Sequence, residues 1–389
     1  MTRVTANDLL PQGSAGLLIG RVWSNEAGGP CPVLVDGDKL RDLSRVAPTV
    51  SGLLEIPTLH EALDDPERLP MLGNVDDFLS SGGNRGPSGA LLAPCDLQAV
   101  KAAGVTFAGS ALERVIEERA NGDPHRAEGL RSELAPVLGD SLRGVITGST
   151  AAEHVKDVLQ ERGMWSQYLE VAIGPDAEIF TKGQPMASVG CGAEVGINRI
   201  SHWNNPEPEI VLVVNSHGAI RGATLGNDVN LRDVEGRSAL LLGKAKDNHA
   251  ACAVGPFIRI FDASFGLEDV ERAIVSLEIT GRDSFSLKEQ SPMSAISRKP
   301  ADLVRQTINV NHHYPDGLIL FLGTMFAPVQ DRKGIGMGFT HEVGDEVRIS
   351  SPNLGSLINV VNWCDAIEPW TFGVGALMQN LARRGLLPQ

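Results

Sequence analysis

The sequence predicts an α+β fold whose C-terminal half is mainly β. Three observations carry that expectation. Short apolar runs separated by Gly, Asp and Asn turns dominate after residue 170. Helix-period patterning is concentrated between residues 97 and 163. Residues 13–45 read as short strands joined by turns, a small β-rich module ahead of both. A chain of 389 residues allows about two or three domains. A soft boundary near residue 95 divides it into an N-terminal β-rich unit with its linker, residues 1–95, and a larger unit, residues 96–389.

The elements follow in order. Residues 16–22 are apolar, residues 25–30 form a Gly-rich turn, and residues 31–35 are apolar again ahead of Asp36-Gly37-Asp38. Residues 72–94 are rich in Gly, Ser, Asn and Pro and read as a linker or a long surface loop. Ser110-Ala-Leu-Glu113 has the spacing of a capping box, with Leu112, Val115 and Ile116 on one face behind it. Thr150-Ala-Ala-Glu153 repeats the cap ahead of a helix over residues 154–162. Strands are expected at residues 169–173, 178–181, 209–215, 219–225, 258–261, 273–279, 318–322 and 346–349, and a last helix at 376–384.

Composition excludes several classes. The formal charge is −14 and the isoelectric point about 5.1. Such a body repels phosphate backbones and anionic lipid, so nucleic acid and membrane are not expected partners, whereas a divalent cation is compatible. Residues 1–10 include Asp8 and lack the apolar run of a signal peptide. The longest apolar stretch, residues 318–329, is broken by Gly323, Thr324 and Pro328 and falls short of the ~20 residues of a membrane helix. Five scattered cysteines without a CxxC suit reduced thiols and a cytoplasmic protein.

The stretch with most chemical content is Pro206-Glu207-Pro208-Glu209, followed by an apolar run, the turn-like Asn215-Ser216-His217-Gly218 and a second run ending at Asn227-Asp228. In an extended chain Glu207 and Glu209 project from one face, about 7 Å apart at the backbone, so their carboxylates can meet on one ion. A turn centred on His217 sets Glu207 opposite Asn227, with Asp228 as its neighbour. Three carboxylates at one end of a hairpin repel each other unless a cation neutralises them. An all-oxygen set favours Mg2+, with Mn2+ or Ca2+ as substitutes. The plainer alternative is a solvated strand start beside a turn aspartate.

Other residues are compatible with a role around such an ion. Glu178 and Lys182 lie four apart on an expected strand, hence on one face, either as a surface ion pair or as an acid–base pair before a substrate. Lys246 precedes an apolar run and is either solvated or placed to stabilise a developing oxyanion. Thr324 follows Gly323 at the end of the expected strand 318–322, suited to a carboxylate contact or to an ordinary turn. Gly334–Gly338 lacks the spacing of a dinucleotide fingerprint, Gly236 to Lys244 that of a phosphate-binding loop, and no G-x-S-x-G elbow is present. The adjacent His312 and His313 would face opposite ways in a strand.

Taken together these segments resemble the fumarylacetoacetate hydrolase superfamily. The resemblance rests on Glu207-Pro-Glu209, Asn227-Asp-Val-Asn-Leu-Arg-Asp233, Ala245-Lys246 with Gly255-Pro256, Gly323-Thr324, Gly344-Asp345 and Asn353-Leu-Gly355, in that order, over about residues 100–365. Gly104-Val-Thr-Phe107, Glu178-Ile-Phe-Thr-Lys182 and Gly226-Asn-Asp228 are similar to the members that dehydrate 2-keto-3-deoxy-pentonates. The resemblance implies a β-roll or sandwich catalytic domain with a smaller N-terminal domain, and Mg2+ on Glu207, Glu209 and Asp228. It also implies catalytic roles for Glu178, Lys182 and Lys246, and substrate contacts from Thr324 and Ser110. A 2-keto sugar acid is the implied substrate, its product 2,5-dioxopentanoate, and the implied assembly a homodimer or homotetramer. The C–C hydrolases of the family carry a histidine that activates water. Here the matching stretch, Thr106-Phe-Ala-Gly-Ser110, has none, which favours dehydration over a Mg2+-dependent C–C hydrolase of an acylpyruvate or a 2,4-diketo acid. A non-catalytic metal- or ligand-binding protein is the alternative from another class.

Overall fold

A computed structural model of the chain describes residues 4–12, 16–79, 89–142, 145–324 and 328–387. The centre of the expected 72–94 loop, residues 80–88, lies outside these, as do residues 1–3 of the stretch 1–10 and residues 325–327 of the apolar stretch 318–329.

The strands are β1 (Leu18–Ser24), β2 (Gly29–Asp36), β3 (Lys39–Asp42), β4 (Met71–Asn74), β5 (Gly89–Leu92), β6 (Ala99–Gly104), β7 (Glu178–Gly183), β8 (Glu194–Ile197), β9 (Asn204–Asn205), β10 (Pro208–Val214), β11 (Ile220–Asp228), β12 (Asn230–Leu231), β13 (Cys252–Ile260), β14 (Ile274–Thr280), β15 (Ser286–Pro292), β16 (Leu318–Phe321), β17 (Glu346–Ser351) and β18 (Gly355–Trp363). Among the described residues the large sheet runs β4-β3-β2-β1-β13-β11-β10-β16-β6-β7, with β5 also paired to β1. A second sheet runs β15-β14-β17-β18-β8. With helices gathered between β6 and β7, this is the expected mix of helix and β-rich layers. The N-terminal strands join the large sheet through β1, whose Leu18 and Ile19 pair with Arg259 and Ile258 of β13.

The core explains why the central strands read as unbroken apolar runs. The seven residues of β10 are all buried. Ile210, Leu212 and Val214 belong to the same core cluster as Leu277, Ile349 and Leu357 of the second sheet. Val211 and Val213 face the other way and belong to the cluster that holds Leu53 and Leu54 of the Val50–Leu54 helix, with Phe321 beside Val211 on the neighbouring strand β16. A strand covered on both sides loses the alternation that marks a half-exposed one. Leu212→Ala is expected to cost about 3 kcal/mol, the usual size for a leucine removed from a closed core. Leu240→Ala, at a side chain 95% exposed, is expected to stay within about 0.5 kcal/mol. Urea denaturation of the two variants checks the contrast.

Three local expectations are corrected. Residues 169–173 form the helix Gln167–Ile173 instead of a strand. Ser166 accepts from the Tyr168 N–H at its start, and Tyr168, Leu169, Ala172 and Ile173 make one buried helical face. The helix after β6 begins at Ala108, with Phe107 at its cap position, so Ser110 sits inside the first turn. The helix Thr150–Glu161 is capped by Ser149, one residue before the expected cap, its Oγ accepting from the Ala152 N–H at 3.2 Å.

The Gly344-Asp345 segment is a clamp. Asp345 is fully buried and accepts from Arg332 Nη1 at 2.6 Å and Nη2 at 2.7 Å, while His341 Nδ1 lies 3.1 Å away. Burial works to raise its pKa, but the hydrogen bonds of Arg332 and His341 outweigh it and hold the carboxyl at about 2. A carboxyl whose folded pKa lies below its unfolded value stabilises the fold above pH ~4, and that contribution is lost as pH falls through about 2; it amounts to roughly 2 kcal/mol. Asp345→Asn is expected to lower the melting temperature at pH 7 and to flatten the dependence between pH 4 and pH 2, read by thermal melts across that window.

Candidate active site

The carboxylate cluster is built by the β10–β11 hairpin. Its turn is centred as expected: the Asn215 N–H donates to the Ala219 carbonyl at 3.0 Å, and Asn215 Oδ1 accepts from the N–H groups of His217 and Ala219. The register then departs from the expectation. The pairing shifts by one residue at Val213/Val214, so Pro208 pairs with Asn227 and Glu209 with Gly226. Asp228, not Asn227, therefore lies across from Glu207, and its N–H donates to the Glu207 carbonyl at 3.0 Å. Side chains alternate along a strand, so this one-residue shift sets Asp228 on the same face as Glu207 and Glu209. All three are buried, and an oxygen from each lies within 4.8 Å of the others.

Cations surround the cluster unevenly. Lys246 Nζ donates to Glu207 Oε2 and, at 3.0 Å, to Asp228 Oδ2. Lys182 Nζ lies 2.8 Å from Asp228 Oδ1. Arg114 Nη2 donates to Glu207 Oε1 at 2.7 Å. Burial opposes the Asp228 charge, but the two lysines outweigh it and hold the carboxyl below its ordinary range. Burial likewise opposes the Lys246 ammonium, and Asp228 and Glu207 outweigh it, so Lys246 stays charged. Glu209 forms no ion pair among the described residues; its Oε2 accepts from the Gly323 N–H at 2.6 Å. Burial, then the charges of Asp228 and Glu207, push its pKa well above the usual carboxylate range. A buried carboxylate without a counter-ion, facing two more, is the donor set of a hard divalent cation. The void beside it measures about 20 Å3, room for one ion of water size. Glu207, Glu209 and Asp228 thus fit Mg2+.

The other expected residues divide. Glu178, Lys246, Ser110 and Thr324 all line this pocket, together with Phe180 of β7. Lys182 does not line it. β7 bulges against β6, with Lys101 opposite Thr181 and Val100 opposite Gly183, and Lys182 is the residue left over. Its Nζ turns inward behind Asp228, donating to the carbonyls of Val229 and Lys246. Glu178 makes no ion pair among the described residues, and burial raises its pKa against the opposing pull of Arg114 and Lys246. Ser110 Oγ donates to the Phe107 carbonyl at 2.8 Å.

Two backbone features shape the pocket. A Cβ on Gly104 would lie 2.0 Å from Glu178 Oε2, so only glycine lets that carboxylate rest there. Val105 beside it has φ +53°, a left-handed conformation unusual for a β-branched residue and the kind of strain that gathers at functional sites.

Sequence reasoning missed Arg114, Glu117 and Glu235. Arg114 Nη1 lies 2.5 Å from Glu117 Oε2 and 2.8 Å from Glu235 Oε2, so one guanidinium ties Glu207 to two further buried acids. Burial raises Glu235 to about 7 despite Arg114. Arg232 extends the chain of charges, meeting Glu117 at 2.6 Å and Glu113 at 2.9 Å over the ring of Trp203. A signal for Arg114 was present: it stands one helical turn after Ser110 and three residues before Glu117. Glu235, on a four-residue helix after β12, carried none.

The profile of the fumarylacetoacetate (FAA) hydrolase C-terminal family matches residues 145–362, more than half of the chain. The chain belongs to that family. A 2-dehydro-3-deoxy-D-arabinonate dehydratase from Saccharolobus solfataricus is 32% identical over 184 residues, 47% of this chain and 58% of that protein. A probable 2-keto-3-deoxyxylonate dehydratase from Haloferax volcanii is 28% identical over 202 residues, 52% of this chain and 66% of that protein. In both, the match spans less than two thirds of the relative's length. A solved 2-keto-3-deoxy-D-arabinonate dehydratase complexed with magnesium and 2,5-dioxopentanoate superposes with a TM-score of 0.58 at 20% identity, over 89% of this chain and 99% of that one. At that identity the fold is what the two share. The family resemblance read from the motifs is borne out, and both relatives bear names of the expected dehydratase class. Among the described residues no helix is long and apolar enough to cross a membrane.

Proposed function

We propose that the protein is a Mg2+-dependent dehydratase of a 2-keto-3-deoxy-pentonate, forming 2,5-dioxopentanoate. The observation that carries this reading is the convergence of Glu207, Glu209 and Asp228 in one buried pocket with Glu178, a carboxylate without an ion pair among the described residues, on its wall. The names of the two sequence relatives and the contents of the solved neighbour support it. Mg2+, held by the three carboxylates, would polarise the 2-keto group and acidify the C3 hydrogens.

The residues then divide the work. Glu178, less acidic than an ordinary glutamate, takes a proton from C3 and afterwards returns it to the C4 hydroxyl, which leaves as water. The C3–H and C4–O bonds break and a C3=C4 bond forms. Moving one hydrogen from C5 to C3 gives a C4=C5 enol, whose hydroxyl hydrogen then passes to C4 as the C=O bond forms, yielding the C5 aldehyde. Lys246 orients Glu207 and Asp228 and stabilises negative charge arising at the keto oxygen. Lys182 is a positioning residue that acts through Asp228. Ser110 and Thr324 contact the substrate's polar groups from the pocket wall.

The test supplies both C4 epimers of 2-keto-3-deoxy-pentonate with Mg2+ and follows products by NMR. One five-carbon aldehyde supports dehydration. Two fragments would make the protein a C–C hydrolase, and no turnover of either epimer would leave a metal- or ligand-binding protein. Replacing Mg2+ by Mn2+ or Ca2+ is expected to retain part of the activity. The same reading takes the protein as a cytoplasmic homodimer or homotetramer, checked by light scattering. It also takes residues 1–95 as an accessory unit to the catalytic residues 96–389, checked by limited proteolysis.

A further inference from the structure

A second cavity, of about 300 Å3, lies elsewhere in the fold and shares no lining residue with the carboxylate pocket. It is bounded by β1, β5, the loop leading into β8 and the segment 367–372. Arg21 and Trp23 alternate onto one face of β1, directly opposite Leu92 and Ala90 of β5, and all four line the cavity.

Arg21 is the unusual member. It is 3% exposed, and among the described residues it has no ion pair. Among the described residues its Nε has no hydrogen-bond partner, and the acceptor that its Nη1 meets is the Met186 sulfur at 3.2 Å. A thioether is a weak acceptor, and a guanidinium cannot shed its charge. Buried charges in folded proteins are paired. The buried Asp96 offers no compensation, because its carboxylate accepts from the N–H groups of Val50, Ser51 and Leu97. Glu194 and Glu368 line the cavity without pairing with Arg21. Met186, which covers the guanidinium, has φ +70°, a left-handed conformation that a methionine rarely adopts.

Other parts of the lining are aromatic. Trp23 and Phe372 meet edge to face with centroids 5.0 Å apart, and Trp370 Nε1 donates to the Phe372 carbonyl at 2.9 Å, fixing that segment. One cation without an ion pair among the described residues, two acids and flat apolar walls select a single negative charge on an apolar body, and select against a multiply charged anion.

We propose that this cavity is a second, non-catalytic binding site for a small molecule that carries one carboxylate on a flat apolar body, the carboxylate on Arg21 and the body against Trp23 and Phe372. The site stands independently of the dehydratase reading. Its test is isothermal titration of the full chain with phenylacetate, with the neutral phenylacetamide and with inorganic phosphate. Phenylacetate is expected to bind saturably, one per chain, and at least ten-fold more tightly than the other two. Arg21→Met and Ala90→Phe, the second filling the cavity while keeping the guanidinium, are each expected to weaken phenylacetate at least ten-fold. Glu209→Gln, in the carboxylate pocket, should leave its affinity unchanged. Absence of saturable phenylacetate binding overturns the proposal, as does equal binding of phosphate, or affinity retained in Ala90→Phe. Affinity lost in Glu209→Gln and kept in Arg21→Met would assign the ligand to the other pocket and overturn it equally. If Arg21→Met does not fold, Ala90→Phe alone decides.

Discussion

Glu178→Gln is expected to lower kcat at least about 100-fold while Mg2+ affinity stays within about two-fold of wild type. The change keeps the shape and removes the basicity. General acid–base groups contribute about 100- to 10,000-fold, and among the described residues Glu178 is the pocket carboxylate that neither a cation nor the hairpin has claimed. Its raised pKa has burial as the leading cause, so the group is a stronger base than a solvated glutamate and also a better proton carrier. Gly104→Ala should act in the same direction by a different route, since a methyl group there collides with Glu178 Oε2 and turns the carboxylate away. Steady-state kinetics with parallel magnesium titration reads both variants. Loss of metal in Glu178→Gln would make the residue a ligand or a strut, and near-normal turnover would remove it from the chemistry.

Glu209→Gln is expected to weaken Mg2+ at least about 100-fold and to abolish turnover with it, yet not to harm the fold. Substitutions among the outer partners of metal ligands cost about 10- to 100-fold, and a direct carboxylate ligand stands at the top of that range or above. The amide can still accept the Gly323 N–H, and the variant no longer buries a third like charge against Glu207 and Asp228. Without metal its melting temperature should equal or exceed that of the wild type. With Mg2+ at about one hundred times the wild-type Kd the wild type should gain about 2.7 kcal/mol through binding to the folded state alone, and the variant no more than about 0.4 kcal/mol. Thermal melts with and without Mg2+ separate the two effects. A variant that melted lower without metal, or gained as much from Mg2+ as wild type, would argue against Glu209 as a ligand.

The two predictions draw on residues that differ in how far their chemistry could be read in advance. Glu207, Glu209 and Asp228 were legible as a set because two of them stand two apart at a strand start and the third closes a hairpin. Glu178 was legible as a residue on a strand, but its partnership with Lys182 was not, because the bulge in β7 turns Lys182 behind Asp228 while Glu178 faces the pocket. The helix Gln167–Ile173 read as a strand because its short apolar run suits either period, and only the Ser166 cap and the burial of Tyr168, Leu169, Ala172 and Ile173 distinguish them. Arg114 reaches Glu207 from a helix 93 positions earlier in the chain, a distance across which no spacing rule operates.

From the sequence alone came the α+β class, the family, the acidic character and the identity of the three acids, since composition, period and motif order are properties of the chain itself. Tertiary structure decided which way those acids point. The turn at Asn215–His217 permits the hairpin but does not set its register beyond the bend, and the shift at Val213/Val214 moves Asp228 across from Glu207. Strand side chains alternate with a period of two, so without that one extra residue Asp228 would face away from Glu207 and Glu209.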